Sequence, residues 1–143
     1  MFSLIGFSAT AVAAVLAFST SMSAAPAELM NVETRSCLDS AANSVNTSPC
    51  NRSGGQQWEL GSGTTLRNVA TVSCLDSDVS KRVYTSPCNG GSYQSWALGN
   101  GASGTTLRNL ATGFCLDSSN NAVNTSQCNG NPSQQWRGIQ GTL

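Results

Sequence analysis

The chain has no histidine, and only 7 Lys or Arg and 7 Asp or Glu among its 143 residues. Without histidine there is no Ser-His-Asp triad, no Cys-His pair and no histidine-bearing zinc site, which removes the commonest hydrolase chemistries. A net charge of zero supplies no basic surface to neutralise phosphates, so nucleic acid is not an expected partner. Charged residues make up 10% of the chain, against about 25% in an average soluble domain. Leu, Ile, Val and Phe number only 27, few for a stable core, yet the absence of net charge argues against disorder. A length of 143 residues fits one domain, and something besides core volume must hold it together.

Met1 to Ala27 carry no charged side chain, run apolar from Leu4 to Phe18, and end in the small residues Ser23-Ala24-Ala25-Pro26-Ala27. This resembles a secretory signal peptide. No Lys or Arg precedes the apolar run, so an uncleaved anchor is the alternative. The Ala25-x-Ala27 step places cleavage before Glu28, and a cut before Pro26 also fits. The expected organisation is a leader over 1–27 and a secreted, extracellular domain over 28–143, with no membrane insertion once the leader is removed. All six cysteines follow the leader. In an exported chain an even count reads as three disulfides.

One unit occurs three times. Leu29 to Ser40, Leu66 to Ser77 and Leu107 to Ser118 each carry Cys-Leu-Asp-Ser, and each continues to a second cysteine and a Gln-x-Trp ending at Trp58, Trp96 and Trp136. The repeats are 29–65, 66–106 and 107–143. Of the fifteen pairings open to six cysteines, repetition favours the one that treats every copy alike: Cys37 with Cys50, Cys74 with Cys88, Cys115 with Cys128. Each bridge would close a loop of about 14 residues, worth roughly 3 kcal/mol in loop-closure entropy. In the first copy short strands read over Leu29 to Thr34, Ser36 to Asp39, Val45 to Cys50 and Gln57 to Leu60, with no sustained helical period. The chain is therefore all-β, with about twelve strands, and three units are too few for the usual propeller. A closed, three-lobed barrel remains.

The Cys-Leu-Asp start, the bridge and the Gln-x-Trp end, three times over, resemble the ricin B-chain type lectin family. The resemblance implies a β-trefoil of three pseudo-symmetric repeats that binds carbohydrate, is not an enzyme, and needs no cofactor or metal. Its implied partners are glycans or glycoproteins.

Bonding Cys74 to Cys88 would hold their Cα atoms about 5.5–6 Å apart, which brings Asp76 and Asn89 together. Tyr84 shares a strand face with Ser86 and Cys88. A carboxylate, an amide and an apolar ring face suit the vicinal hydroxyls and C–H face of a neutral sugar. The segment from Asp76 through Val83-Tyr84-Thr85 and Asn89-Gly90-Gly91 to Tyr93-Gln94-Ser95-Trp96 looks more specifically like the actinohivin-type branch, whose members bind high-mannose glycans. That likeness implies mannose contacts by Asp76, Tyr84 and Asn89, with Tyr93 nearby.

The outer repeats keep Asp39 with Asn51 and Asp117 with Asn129, but Tyr84 becomes Asn46 and Asn124, and Tyr93 becomes Gly55 and Ser133. They are weaker candidates, with polar contacts and no ring. The broader ricin pattern has an aromatic two residues before the second cysteine, where this chain has Ser48, Ser86 and Ser126, which argues against galactose recognition of the ricin kind. Asn46, Asn51 and Asn124 each head an N-x-Ser acceptor motif; glycans attached there would cap the outer pockets and leave repeat two open.

Plainer readings stand beside these. Trp58, Trp96 and Trp136, with Leu38, Leu75 and Leu116, read as core. The repeated Asp residues could cap turns, and Asn51, Asn89 and Asn129 could be left-handed turn residues. Asp78, Lys81 and Arg82 read as a solvated loop that could tune glycan choice. A galactose- or xylan-type polysaccharide-binding module, or a protein-binding trefoil such as a protease inhibitor, is the alternative function. Against an inhibitor, the extra residues Gly99 to Gly104 offer no side chain to anchor in a protease.

Overall fold

The computed structural model describes residues 25–138, so nearly all of the expected leader, residues 1–24, lies outside the described residues. Twelve strands form: β1 Met30–Asn31, β2 Cys37–Ala41, β3 Ser44–Ser48, β4 Trp58–Leu60, β5 Leu66–Asn68, β6 Cys74–Ser77, β7 Val83–Ser86, β8 Trp96–Asn100, β9 Thr105–Asn109, β10 Cys115–Ser119, β11 Ala122–Ser126 and β12 Trp136–Arg137. Every neighbouring pair is antiparallel. The all-β, twelve-stranded expectation holds.

The strands divide into a barrel and a cap. β1 pairs with β12, β12 with β9, β9 with β8, and β4 with β5. The Ala27 and Trp58 backbones exchange two hydrogen bonds of 3.0 Å. The hairpins β2–β3, β6–β7 and β10–β11 meet tip to tip, through Ser44 opposite Tyr84, Ala122 opposite Asn46, and Arg82 opposite Asn124. One hairpin from each repeat thus surrounds a pseudo-threefold axis, which is the β-trefoil.

Three devices compensate for the small apolar inventory. The first is the indole trio: Trp58, Trp96 and Trp136 are buried among Leu29, Leu38, Leu66, Leu75, Leu107 and Leu116. Each indole N–H donates to the carbonyl of Leu38, Leu75 or Leu116, at 2.9, 3.0 and 3.1 Å. A buried indole removes about 200 Å² from water, roughly 5 kcal/mol of transfer free energy before entropy. The second is the disulfide set, Cys37–Cys50, Cys74–Cys88 and Cys115–Cys128, with Cα separations of 5.0, 5.0 and 5.1 Å. Every copy is bridged within itself, as its repetition predicts.

The third device ties copies to each other. Asn31, Asn68 and Asn109 are fully buried, and their amides donate to the carbonyls of Ser133, Gly55 and Tyr93, each at 2.8 Å and each in the preceding repeat around the axis. Around the same axis Ser40 bonds Thr85, Thr47 bonds Ser118 and Ser77 bonds Thr125, all buried. Pairing satisfies these six hydroxyls where water does not reach them.

The first strand of the first copy is shorter than expected. Asn31 Oδ1 accepts the N–H groups of Glu33 and Thr34, which turns the chain out of the sheet after two residues instead of at Thr34. The same turn places Arg35 at φ 62°, Val72 at φ 59° and Gly113 at φ 74°. Only the third copy has the residue that this backbone favours. A left-handed β-branched residue costs about 1–2 kcal/mol, and glycine's added unfolded entropy returns about 0.5–1 of it. Val72 is exposed, so it contributes little burial. Val72→Gly is therefore expected to raise stability by about 0.5–1 kcal/mol, seen as a higher urea midpoint at unchanged slope. A lower midpoint contradicts the strain argument.

Candidate functional site

Repeat two brings its residues together through hairpin register. Asp76 on β6 sits directly opposite Tyr84 on β7, and Cys74 opposite Ser86, so both pairs share one face of the hairpin. Tyr84 therefore flanks Asp76 across the ladder. Asp76 stands in mid-hairpin and does not cap a turn.

Gln94 of the Gln-x-Trp ending is the hub, and it is fully buried. Its Nε2 lies 3.0 Å from Asp76 Oδ2, 2.8 Å from Ser86 Oγ and 3.0 Å from Pro87 O, while its Oε1 accepts the Asn89 N–H at 2.9 Å. Ser86 Oγ donates to the same Asp76 oxygen at 2.6 Å. One Asp76 oxygen is therefore spent on the protein, and among the described residues no hydrogen bond reaches Oδ1. Asn89 Oδ1 accepts the Gly91 N–H at 2.8 Å, which leaves its amide N–H₂ without a partner among the described residues. The site presents an acceptor, two donors and a ring.

Asn89 is not itself left-handed. Its side chain closes an Asx turn over the next residue, and Gly90 takes the positive φ of 70°, as Arg52 (60°) and Gly130 (72°) do after Asn51 and Asn129. Tyr84 is half-buried and Tyr93 exposed. Burial first, then the Asp76 and Asp78 carboxylates, raise the Tyr84 phenol above its ordinary pKa. The hydroxyl stays protonated, and a donor, throughout the neutral range.

The outer repeats have the same scaffold with a different face. Ser48 donates to Asp39 at 2.6 Å and Ser126 to Asp117 at 2.5 Å. Gln56 and Gln134 reach those carboxylates at 3.1 and 3.0 Å and accept the N–H of Asn51 and Asn129 at 2.8 and 2.9 Å. Opposite the two carboxylates stand Asn46 and Asn124, both exposed. In repeat one the chain at Gly55 lies so close that a Cβ there would meet Asp39 Oδ1 at 2.7 Å and Ser40 O at 2.8 Å. No side chain equivalent to Tyr93 fits.

Sequence reasoning left Gln56, Gln94 and Gln134 as mere motif letters, although their recurrence in every copy was the available signal. The serines before each second cysteine likewise orient the carboxylate, and no ring occupies their place. Asp78 and Arg82 are an ion pair: the Arg82 Nη2 to Asp78 Oδ2 distance is 2.8 Å. Desolvation would raise the Asp78 pKa, but hydrogen bonds from the Arg82 and Ser80 backbone and the Arg82 guanidinium outweigh it and hold the carboxyl below its ordinary value.

This constellation on a three-lobed barrel defines a lectin-type trefoil, and residues 25–136 match the ricin-type beta-trefoil lectin domain. The chain belongs to that family. Among solved structures it resembles a designed 3-fold symmetric protein, ThreeFoil, at 23% identity and TM-score 0.71, over 80% of this chain and 98% of that one. The Vibrio vulnificus hemolysin/cytolysin beta-trefoil lectin, solved with N-acetyl-D-lactosamine bound, aligns at 24% identity and TM-score 0.68, over 83% and 98%. The hemolytic lectin CEL-III aligns at 23% and 0.72, over 80% of this chain and 30% of that one. These likenesses show the fold. No curated protein matches the chain.

Proposed function

We propose that the protein is a secreted, non-catalytic lectin that binds a neutral, mannose-containing glycan through repeat two. Asp76 Oδ1 accepts from a pair of sugar hydroxyls, the Asn89 amide and the Tyr84 hydroxyl donate, and the Tyr84 ring takes the C–H face with Tyr93 at its edge. The observation that carries this reading is the Asp76–Tyr84 pair across β6 and β7, which Asn46 and Asn124 replace in the other repeats. Asp39, Asn46 and Asn51, and Asp117, Asn124 and Asn129, form the weaker pockets. Three bridged cysteine pairs and an apolar leader support export to an oxidising compartment.

A second reading is a galactose-containing ligand, supported by the N-acetyl-D-lactosamine in the Vibrio vulnificus neighbour. The serines at 48, 86 and 126, bonded to the carboxylates, favour the mannose reading. A glycan array on the disulfide-bonded protein separates the two. Mannose-rich signals that Asp76→Ala abolishes are the expected outcome. Galactose-type signals would replace the sugar, and silence from a folded sample would favour a protein-binding trefoil.

A further inference from the structure

We propose that the repeat-two site extends past Tyr84 into a second sugar subsite, where Arg82, held in place by Asp78, contacts the next residue of the glycan. This rests on the carbohydrate-binding reading above and adds what that site selects: an oligosaccharide over a monosaccharide.

The hairpin ladder carries the argument. Two residues beyond the Asp76–Tyr84 pair, past Ser77 opposite Val83, the Asp78 N–H donates to the Arg82 carbonyl at 3.2 Å. Arg82 and Tyr84 are two residues apart on extended backbone, so they face the same way about 6.6 Å apart, a spacing on the scale of one sugar ring. Both oxygens of Asp78 are committed: Oδ2 accepts Arg82 Nε at 2.9 Å, and Oδ1 accepts the N–H groups of Ser80 and Arg82 at 2.9 and 3.2 Å. Asp78 is therefore a positioning residue. The Arg82 side chain is 76% exposed, and among the described residues its Nη1 has no hydrogen-bond partner, so a planar pair of donors faces outward at a fixed angle.

Room for a second unit lies beside it. Arg82 and Tyr84 line an open cleft of about 730 Å³ between the hairpin tips, to which Val45 and Val123 bring apolar surface and Asn43 and Asn124 bring amides. That volume falls within the range of about 300–1,000 Å³ usual for small-ligand sites. The Asp78–Arg82 pair is neutral as a unit, and Lys81, which also lines the cleft, holds its ammonium 5.2 Å from the Phe114 ring centroid, so the free donors beside Tyr84 suit hydroxyl groups. The arrangement is confined to repeat two: the register of the outer hairpins puts Ala41 opposite Ser44 and Ser119 opposite Ala122 at this step.

The test is calorimetric titration of the full chain with mannose and mannotriose, and with galactose and lactose. The wild type is expected to bind the oligosaccharide of the recognised pair about tenfold more tightly than the monosaccharide, the yield of one charge-assisted hydrogen bond. In Arg82→Ala that preference falls to twofold or less at unchanged monosaccharide affinity, and Arg82→Lys, which lacks the fork, does not restore it. A preference equal to wild type in Arg82→Ala overturns the subsite while leaving the lectin reading intact. Failure of the wild type to bind any of the four sugars overturns both.

Discussion

Tyr84→Ala is expected to lower glycan affinity at least tenfold while the protein keeps its fold. Tyr84 supplies both a ring and a donor directly opposite Asp76, and it is half-buried with its backbone in the β6–β7 ladder. A sugar C–H face against an aromatic ring and one hydrogen bond to a hydroxyl are each worth about 1 kcal/mol, and about 1.4 kcal/mol is tenfold in affinity. Tyr84→Phe should retain the ring's share and lose the hydroxyl's. The pH dependence follows from the raised Tyr84 pKa. Because the folded-state value is the higher one, the stabilisation of the neutral phenol is complete below the unfolded value of about 10 and is lost only as pH rises through the folded value. Binding should therefore hold to about pH 10 and fall beyond it, as read by titration at stepped pH. Unchanged binding by Tyr84→Ala would move the site to another repeat.

Gln94→Leu is expected to cost about 2–4 kcal/mol of stability and to abolish binding as well. The substitution nearly preserves volume but leaves the Asn89 N–H, Pro87 carbonyl, Ser86 hydroxyl and one Asp76 oxygen short of the partner they have now. Each group so left costs about 1–3 kcal/mol where water cannot reach it, and the exposure of Pro87 and Asn89 keeps the sum near the lower end. Urea unfolding reads the first effect and calorimetry the second. If stability falls and binding survives, Gln94 braces the repeat without orienting Asp76.

The three-copy pattern made most of the fold legible. The cysteine pairing, the buried indoles and the Asp76–Tyr84 neighbourhood all follow from register, because a cysteine at each end of a hairpin and a strand period of two determine which residues meet. What sequence reasoning missed are contacts made across copies or through short turns. The amides of Asn31, Asn68 and Asn109 each reach a neighbouring repeat, and no local periodicity encodes a partner that distant. The close approach of Gly55 to Asp39 is equally invisible in one dimension. It explains why repeat one cannot be given the Tyr93 of repeat two by substitution alone. Asp78 and Arg82 read as a solvated loop because their pairing depends on a turn with Lys81 at φ 69°.

The most direct test is a titration of the isotope-labelled protein with mannotriose, followed residue by residue through its amide resonances. The account predicts shifts concentrated at Asp76, Arg82, Tyr84, Asn89 and Tyr93, with those of Asp39, Asn51, Asp117 and Asn129 nearly unmoved. Equal shifts at all three carboxylates, or shifts centred on repeat one or three, would contradict it.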